Sequence, residues 1–260
     1  MSTTYKGHFL TEAEAARYDR DEYGEGSYGQ VLGELEQAVL QKLVREFRQT
    51  HAQIRYLDFA AGTGRIAGFM EGLVETATAI EISESMAARA RARLRTTRVL
   101  CRDITARGGE LEGKYDLITA FRFFLNAEPE LRLAAIKALA ARLQDDRSWL
   151  VFNNHGNLWS LKIIGWPYHR LRSFRGGRKP YGNYLRHAEV KRLLTRAGLR
   201  IARVIGLGVL GGKLFSRLPF ERGSRLEERL AASAFWSKFG QDQIYVACLD
   251  GRVAGQQESA

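Results

Sequence analysis

Apolar residues along this chain fall into two kinds of run. Short, nearly continuous runs at 54–59, 76–81, 97–101, 115–120 and 148–153 predict strands buried on both faces. Between them, apolar residues spaced three and four apart predict helices at 64–73, 84–95 and 129–144. Strands separated by helices imply right-handed crossovers, and so an α/β fold with a doubly wound, mainly parallel sheet. Upstream, residues 30–49 place Val31, Leu32, Leu35, Leu40, Leu43 and Phe47 at helical spacing. Thr11 with Glu14 predicts a capped short helix over 11–18, and the glycine- and tyrosine-rich 21–29 predicts a loop. Downstream, 187–197 predicts a helix stopped by Gly198, 199–206 a strand, 226–236 a helix and 243–249 a last strand. Residues 253–260 are small and polar and predict a frayed tail.

The first strand runs into Asp58-Phe-Ala-Ala-Gly62-Thr-Gly64, and the second ends on Glu81. Gly62 and Gly64 lack Cβ atoms, so the chain can turn sharply there and a ligand can approach its backbone. A carboxylate at the tip of the neighbouring strand suits both hydroxyls of a ribose. Gly62-x-Gly64-x-x-Ala67 also satisfies the dinucleotide fingerprint, with Glu81 near the acidic offset. That fingerprint serves a pyrophosphate seated on a helix N-terminus. Asp58 lies four residues before Gly62 and would repel a diphosphate; it suits a cation instead.

Taken together, these segments resemble the class I S-adenosylmethionine (SAM)-dependent methyltransferases. Asp58 to Gly64 resembles motif I, with Ala60 in place of its first glycine, and Ala79-Ile-Glu81-Ile82-Ser-Glu-Ser-Met86 resembles motif II. Cys101-Arg-Asp103-Ile104 resembles the following motif, and Tyr115 to Arg122 the motif on the fourth strand. The match covers about residues 35–155. The resemblance implies a seven-stranded sheet of order 3-2-1-4-5-7-6 with the last-formed strand antiparallel. It implies that Glu81 binds ribose, that Asp103 accepts from the adenine amino group, and that Ile104 packs on that ring. Ala60, Gly62, Gly64, Ile82, Met86, Phe121 and Arg122 complete the expected cofactor set, with SAM as donor and S-adenosylhomocysteine (SAH) as product. It also implies an N-terminal lid over the cofactor, here residues 1–34, with Tyr18, Tyr23 and Tyr28 as contacts. The methyltransferase domain then spans 35–250 and the tail 251–260.

Forty basic against twenty-nine acidic residues give a net charge of +11, which favours anionic partners. Residues 147–188 concentrate this excess, with eight basic residues, no Asp or Glu, and eight aromatics. The segment 155–184 follows the fifth strand, where this fold commonly carries substrate-recognition insertions. Three readings of it stand: a cap over a small anionic or partly apolar acceptor, a surface that docks on an anionic membrane, or an RNA groove with bases stacked on aromatics. The chain has no RRM, KH or zinc-knuckle signature, and Ala120-Phe-Arg-Phe-Phe-Leu-Asn126 differs from the motif of base amino-group methylation. The segment resembles small-molecule O-methyltransferases, with Asn126 where they often carry a histidine, and this resemblance implies O-methylation of a small or lipid-linked acceptor in preference to RNA methylation or a non-catalytic SAM-binding role. Asn126, Trp159, Tyr168, His169 and Tyr181 are candidate acceptor contacts.

Displacement at a methyl group is helped by alignment and exclusion of water. A hydroxyl acceptor also calls for a base, and His155, just past the fifth strand, is the candidate. No Cys/His spacing suggests a metal. Cys101 and Cys248 lie in apolar runs and are expected to be small buried residues in a reducing cytoplasm. No run reaches the roughly 18 apolar residues of a membrane span, and no apolar signal core follows Met1. The expected location is the cytoplasm, with contact at the inner membrane face under the second reading.

Overall fold

The computed structural model describes residues 25–106, 111–161, 163 and 184–251. The expected helix at 11–18, Tyr18, Tyr23, Tyr168, His169, Tyr181 and the tail at 253–260 lie outside the described residues.

The elements run α1 (Tyr28–Phe47), β1 (Arg55–Phe59), α2 (Arg65–Met70), β2 (Thr76–Glu81), α3 (Glu84–Arg93), β3 (Arg98–Cys101), β4 (Leu117–Ala120), α4 (Pro129–Ala140) and β5 (Trp149–Asn154). There follow α5 (His187–Thr195), β6 (Leu199–Leu207), α6 (Gly211–Phe215), α7 (Phe220–Ala232), a 3-10 turn (Trp236–Phe239) and β7 (Asp242–Leu249). The seven strands form one sheet of order β3-β2-β1-β4-β5-β7-β6. Pairing is parallel from β3 to β5, and β7 is antiparallel to both β5 and β6. This is the order the resemblance implies.

Local chemistry explains most boundaries. Ser27 caps α1 by accepting from the Gln30 amide, and Ser83 caps α3 by accepting from that of Met86. The helix expected at 226–236 starts six residues earlier and ends four earlier, with Pro219 at its N-cap and Ser233 in extended backbone at its end. Helix α6 and the 3-10 turn had no apolar period to announce them. The expected lid boundary at residue 34 falls inside α1.

Helix α1 buries Leu32, Leu40, Leu43 and Phe47 against one face of the sheet, together with Tyr56, Leu117 and Val246. The opposite face packs Leu57, Ile118, Phe152 and Tyr245 against α4 and α5. Strands β1, β4 and β5 are buried almost throughout, while edge strands β3 and β6 are half exposed. One correction concerns Cys101: it is exposed on the edge strand β3, whereas Cys248 is buried as expected.

Candidate functional site

The carboxyl ends of β1, β2 and β4 open onto a cleft of about 1070 Å³, counted out to open solvent. Asp58, Ala60, Gly62, Glu81, Ile82, Met86, Asp103, Phe121, Arg122 and Asn126, all named from the sequence, line it.

Asp58 is buried at the end of β1. Its Oδ1 accepts from the Thr119 hydroxyl at 2.7 Å, and that hydroxyl also meets Tyr56. Its Oδ2 is buried and has no hydrogen-bond partner of normal geometry. Burial drives the Asp58 carboxyl up to about 7; the Thr119 hydroxyl, Arg65 and the Ala67 amide pull it down, and Glu81 pushes it further up. A half-satisfied buried carboxylate facing a cleft favours a cationic ligand.

Glu81 does a different job. Its Oε2 accepts from the Gly62 amide at 2.8 Å, and its Oε1 accepts from the Ile82 and Ser83 amides at 2.8 and 2.9 Å. Burial raises its carboxyl, and the Ser83, Gly62 and Ile82 amides hold the rise in check. A carboxylate offers about four acceptor positions. Three are taken, which leaves room for one ribose hydroxyl, not two, unless an amide is displaced.

Among the described residues two non-glycine residues adopt left-handed backbone, Ala60 (φ 54°) and Arg122 (φ 59°), and both line this cleft. Such strain gathers at functional sites. It accounts for the glycine that the resembled motif carries where Ala60 stands. Asp103 accepts from the Thr105 amide and hydroxyl at 2.9 and 2.6 Å and stays on the cleft wall.

Several expected contacts lie elsewhere. Gly64 caps α2 with φ 81°, and a Cβ there would come within 3.1 Å of Leu94, so it serves helix packing and does not line the cleft. Ile104 packs into the core near Leu100, behind the wall. Tyr28 donates to Glu227 Oε2 at 3.1 Å, accepts from the Gly211 amide at 3.0 Å and packs on Phe215. It braces α1 against the chain beyond β6. His155 and Trp159 are not among the described residues lining the cleft, so the base role is not carried forward for His155. Asp116, just before β4, pairs with Arg55 at 2.8 Å, a structural role.

A charged cluster behind the cleft was not anticipated. Glu36, on α1, is fully buried; its Oε2 meets Arg65 at 2.6 Å and its Oε1 meets Arg122 at 3.4 Å. Asn153 accepts from the Arg122 amide at 2.6 Å and donates to Asp242 at 3.0 Å. The Asp242 carboxyl is pushed up to about 6 by burial, with Arg122 lowering it and Glu36 raising it. Glu36 was findable, since it interrupts the buried stripe Leu32, Leu40, Leu43, Phe47 at helical spacing. Asn153 and Asp242 carry no such signal. Among the described residues no group of His, Cys, Asp and Glu could hold a metal ion.

Comparison with known proteins agrees with this geometry. A family described as "Methyltransferase domain" matches residues 32–204. No functionally curated protein matches the chain. Among solved structures, the magnesium protoporphyrin IX methyltransferase of Synechocystis PCC 6803 with bound SAH is 17% identical, covers 94% of this chain and 97% of its own, and has a TM-score of 0.59. A SAM-dependent methyltransferase of Archaeoglobus fulgidus is 17% identical, covering 89% and 97%, with a TM-score of 0.56. One from Clostridium acetobutylicum ATCC 824 is 15% identical, covering 91% and 98%, with a TM-score of 0.54. At these identities the likeness is one of fold.

Proposed function

The chain belongs to the methyltransferase-domain family as a SAM-dependent enzyme, and from this premise we propose that it methylates an oxygen of a small or lipid-linked acceptor of anionic character. One observation carries the donor side: Oδ2 of Asp58 is buried at the cleft without a hydrogen-bond partner of normal geometry. An ammonium group can donate to that oxygen and a sulfonium attracts it by charge, whereas a diphosphate does neither. SAM supplies a methyl group on a positively charged sulfur.

The chain's own residues then divide the work. Asp58 holds positive charge, the remaining acceptor position of Glu81 takes a ribose hydroxyl, and Asp103 takes the adenine amino group. Phe121, Phe123 and Leu131 wall the cleft with apolar surface that excludes water from the reacting centre. Arg102 and Arg122 line it too, and with the net charge of +11 they support an anionic acceptor. The cysteine usage supports a cytoplasmic location.

The test is calorimetry with SAH followed by transfer of a tritiated methyl group. SAH binds the wild type and binds Asp58→Asn less tightly, and label passes to small or lipid-extractable acceptors. Label appearing in RNA, or SAH binding that ignores Asp58, would overturn the reading.

A further inference from the structure

Strands β5 and β6 both run antiparallel to β7. The chain leaving β5, the chain leaving β6 and the chain entering β7 therefore meet at one edge, the carboxyl edge that also holds the cleft. All three present large apolar side chains to solvent. Trp159 is 68% exposed, and Leu161 and Ile163 beside it are exposed as well. Leu214 on α6 is exposed, and so are Phe235 (59%) and Trp236 (49%).

The segments that carry these side chains pack together. Leu161 lies against Gly211, where a Cβ would be 3.7 Å away. Asn157 donates to the carbonyls of Lys238 and Gly240 at 3.1 and 2.8 Å, and it accepts from the Trp159 amide at 3.1 Å. Phe235 and Trp236 stack edge-to-face with centroids 5.2 Å apart. Monomeric proteins seldom leave such large apolar groups clustered in water.

Helix α7 gives the surface its sign. Its inward face is Gly223 and Glu227; Arg222, Arg225, Leu226 and Arg229 are exposed, along with Glu221 and Glu228. Between residues 211 and 240 the chain has six basic and three acidic residues, and one of the acids, Glu227, is turned inward to Tyr28 and the Val209 and Leu210 amides. Tryptophan and leucine intermixed with arginine match a bilayer interface with anionic headgroups. No helix among the described residues is long and apolar enough to cross a membrane, so the contact is with its surface.

We propose that the Trp159–Leu214–Trp236 surface with the arginine face of α7 docks this enzyme on an anionic lipid bilayer. The docked face lies at the same sheet edge as the cleft, so an acceptor dissolved in that bilayer reaches the site without crossing bulk water.

The test is co-sedimentation of the full chain with phosphatidylcholine vesicles, with and without 30% phosphatidylglycerol (about the anionic fraction that sets a leaflet's surface potential). Wild type pellets with the anionic vesicles only. Reversal of Arg222, Arg225 and Arg229 to Glu lowers the partition by at least about 100-fold. Trp159→Ser with Trp236→Ser lowers it by at least about tenfold. All these side chains are exposed, so SAH affinity stays at the wild-type value and certifies the fold. No pelleting of wild type overturns the proposal. Undiminished pelleting of the tryptophan variant overturns it in favour of a simple polyanion site. A wild-type dimer in light scattering that the tryptophan variant breaks overturns it in favour of a second copy.

Discussion

In the β1–β2–β4 half of the carboxyl edge, Glu81 closes the Gly62 turn across 19 residues of chain. In the β5–β7 half, Asn153 meets Asp242 across 89 residues and Glu36 across 117. The first half is made within successive strand–helix units, each with its own turn chemistry. The second is made only when the N-terminal helix and the last strand arrive together. The difference teaches that the donor wall is a local construction, whereas the charges behind it are held by the whole fold.

The largest expected effect breaks the second half. Glu36→Ala removes the buried partner of Arg65 and Arg122 and is expected to lower stability by about 3–5 kcal/mol. Urea denaturation checks this, and a loss below about 1 kcal/mol would mean that the cluster is solvated. Asp58 gives the next effect, through pH. Its folded carboxyl sits at about 7 against an ordinary 3.8. Between those values the folded state holds a proton the unfolded state lacks, so stability falls as pH rises from about 4 to about 7, by up to about 4 kcal/mol. Donor affinity moves the other way, since the ionised carboxylate attracts a cation: it rises with pH and levels off above about 7. Asp58→Asn is expected to flatten both curves, and slopes that survive in that variant would remove Asp58 as their source.

Glu81→Ala is expected to weaken SAH binding by roughly 1–3 kcal/mol in calorimetry, the scale of charge-assisted hydrogen bonds. Because three backbone amides lose their acceptor, stability falls with it, which separates Glu81 from a residue that only touches ligand. The smallest change sharpens the local half. Ala60→Gly relieves a left-handed backbone at φ 54° and is expected to raise stability by about 1 kcal/mol, less whatever the freer unfolded chain returns. A destabilised variant would show that Ala60 is not strained.

The strands from 54 to 154 were legible because each is a short apolar run bounded by turn chemistry, and they occur within two residues of the positions read from the sequence. Asp58, Gly62, Glu81 and Asp103 were legible as residues that would share one cleft because their spacing is set by one crossover at a time. Tyr28 misled because an aromatic ring near a glycine-rich stretch says nothing of the partner it finds; Glu227, 199 residues away, claimed its hydroxyl. Ile104 misled for a related reason: an apolar side chain after a strand goes to whichever face is drier.

From the sequence alone come the α/β class, the methyltransferase family, the acidic strand tips and the basic, aromatic excess. All of these are written in period, spacing and composition, which the chain carries before it folds. Only the tertiary structure decides that Asp58 keeps a buried oxygen short of a normal hydrogen bond, that Glu36 pins two arginines, and that the connections after β5 and β6 carry Trp159 and Trp236 to one edge of the sheet. Each of those depends on distances between segments far apart in the chain, and those distances are set by how the sheet stacks its strands.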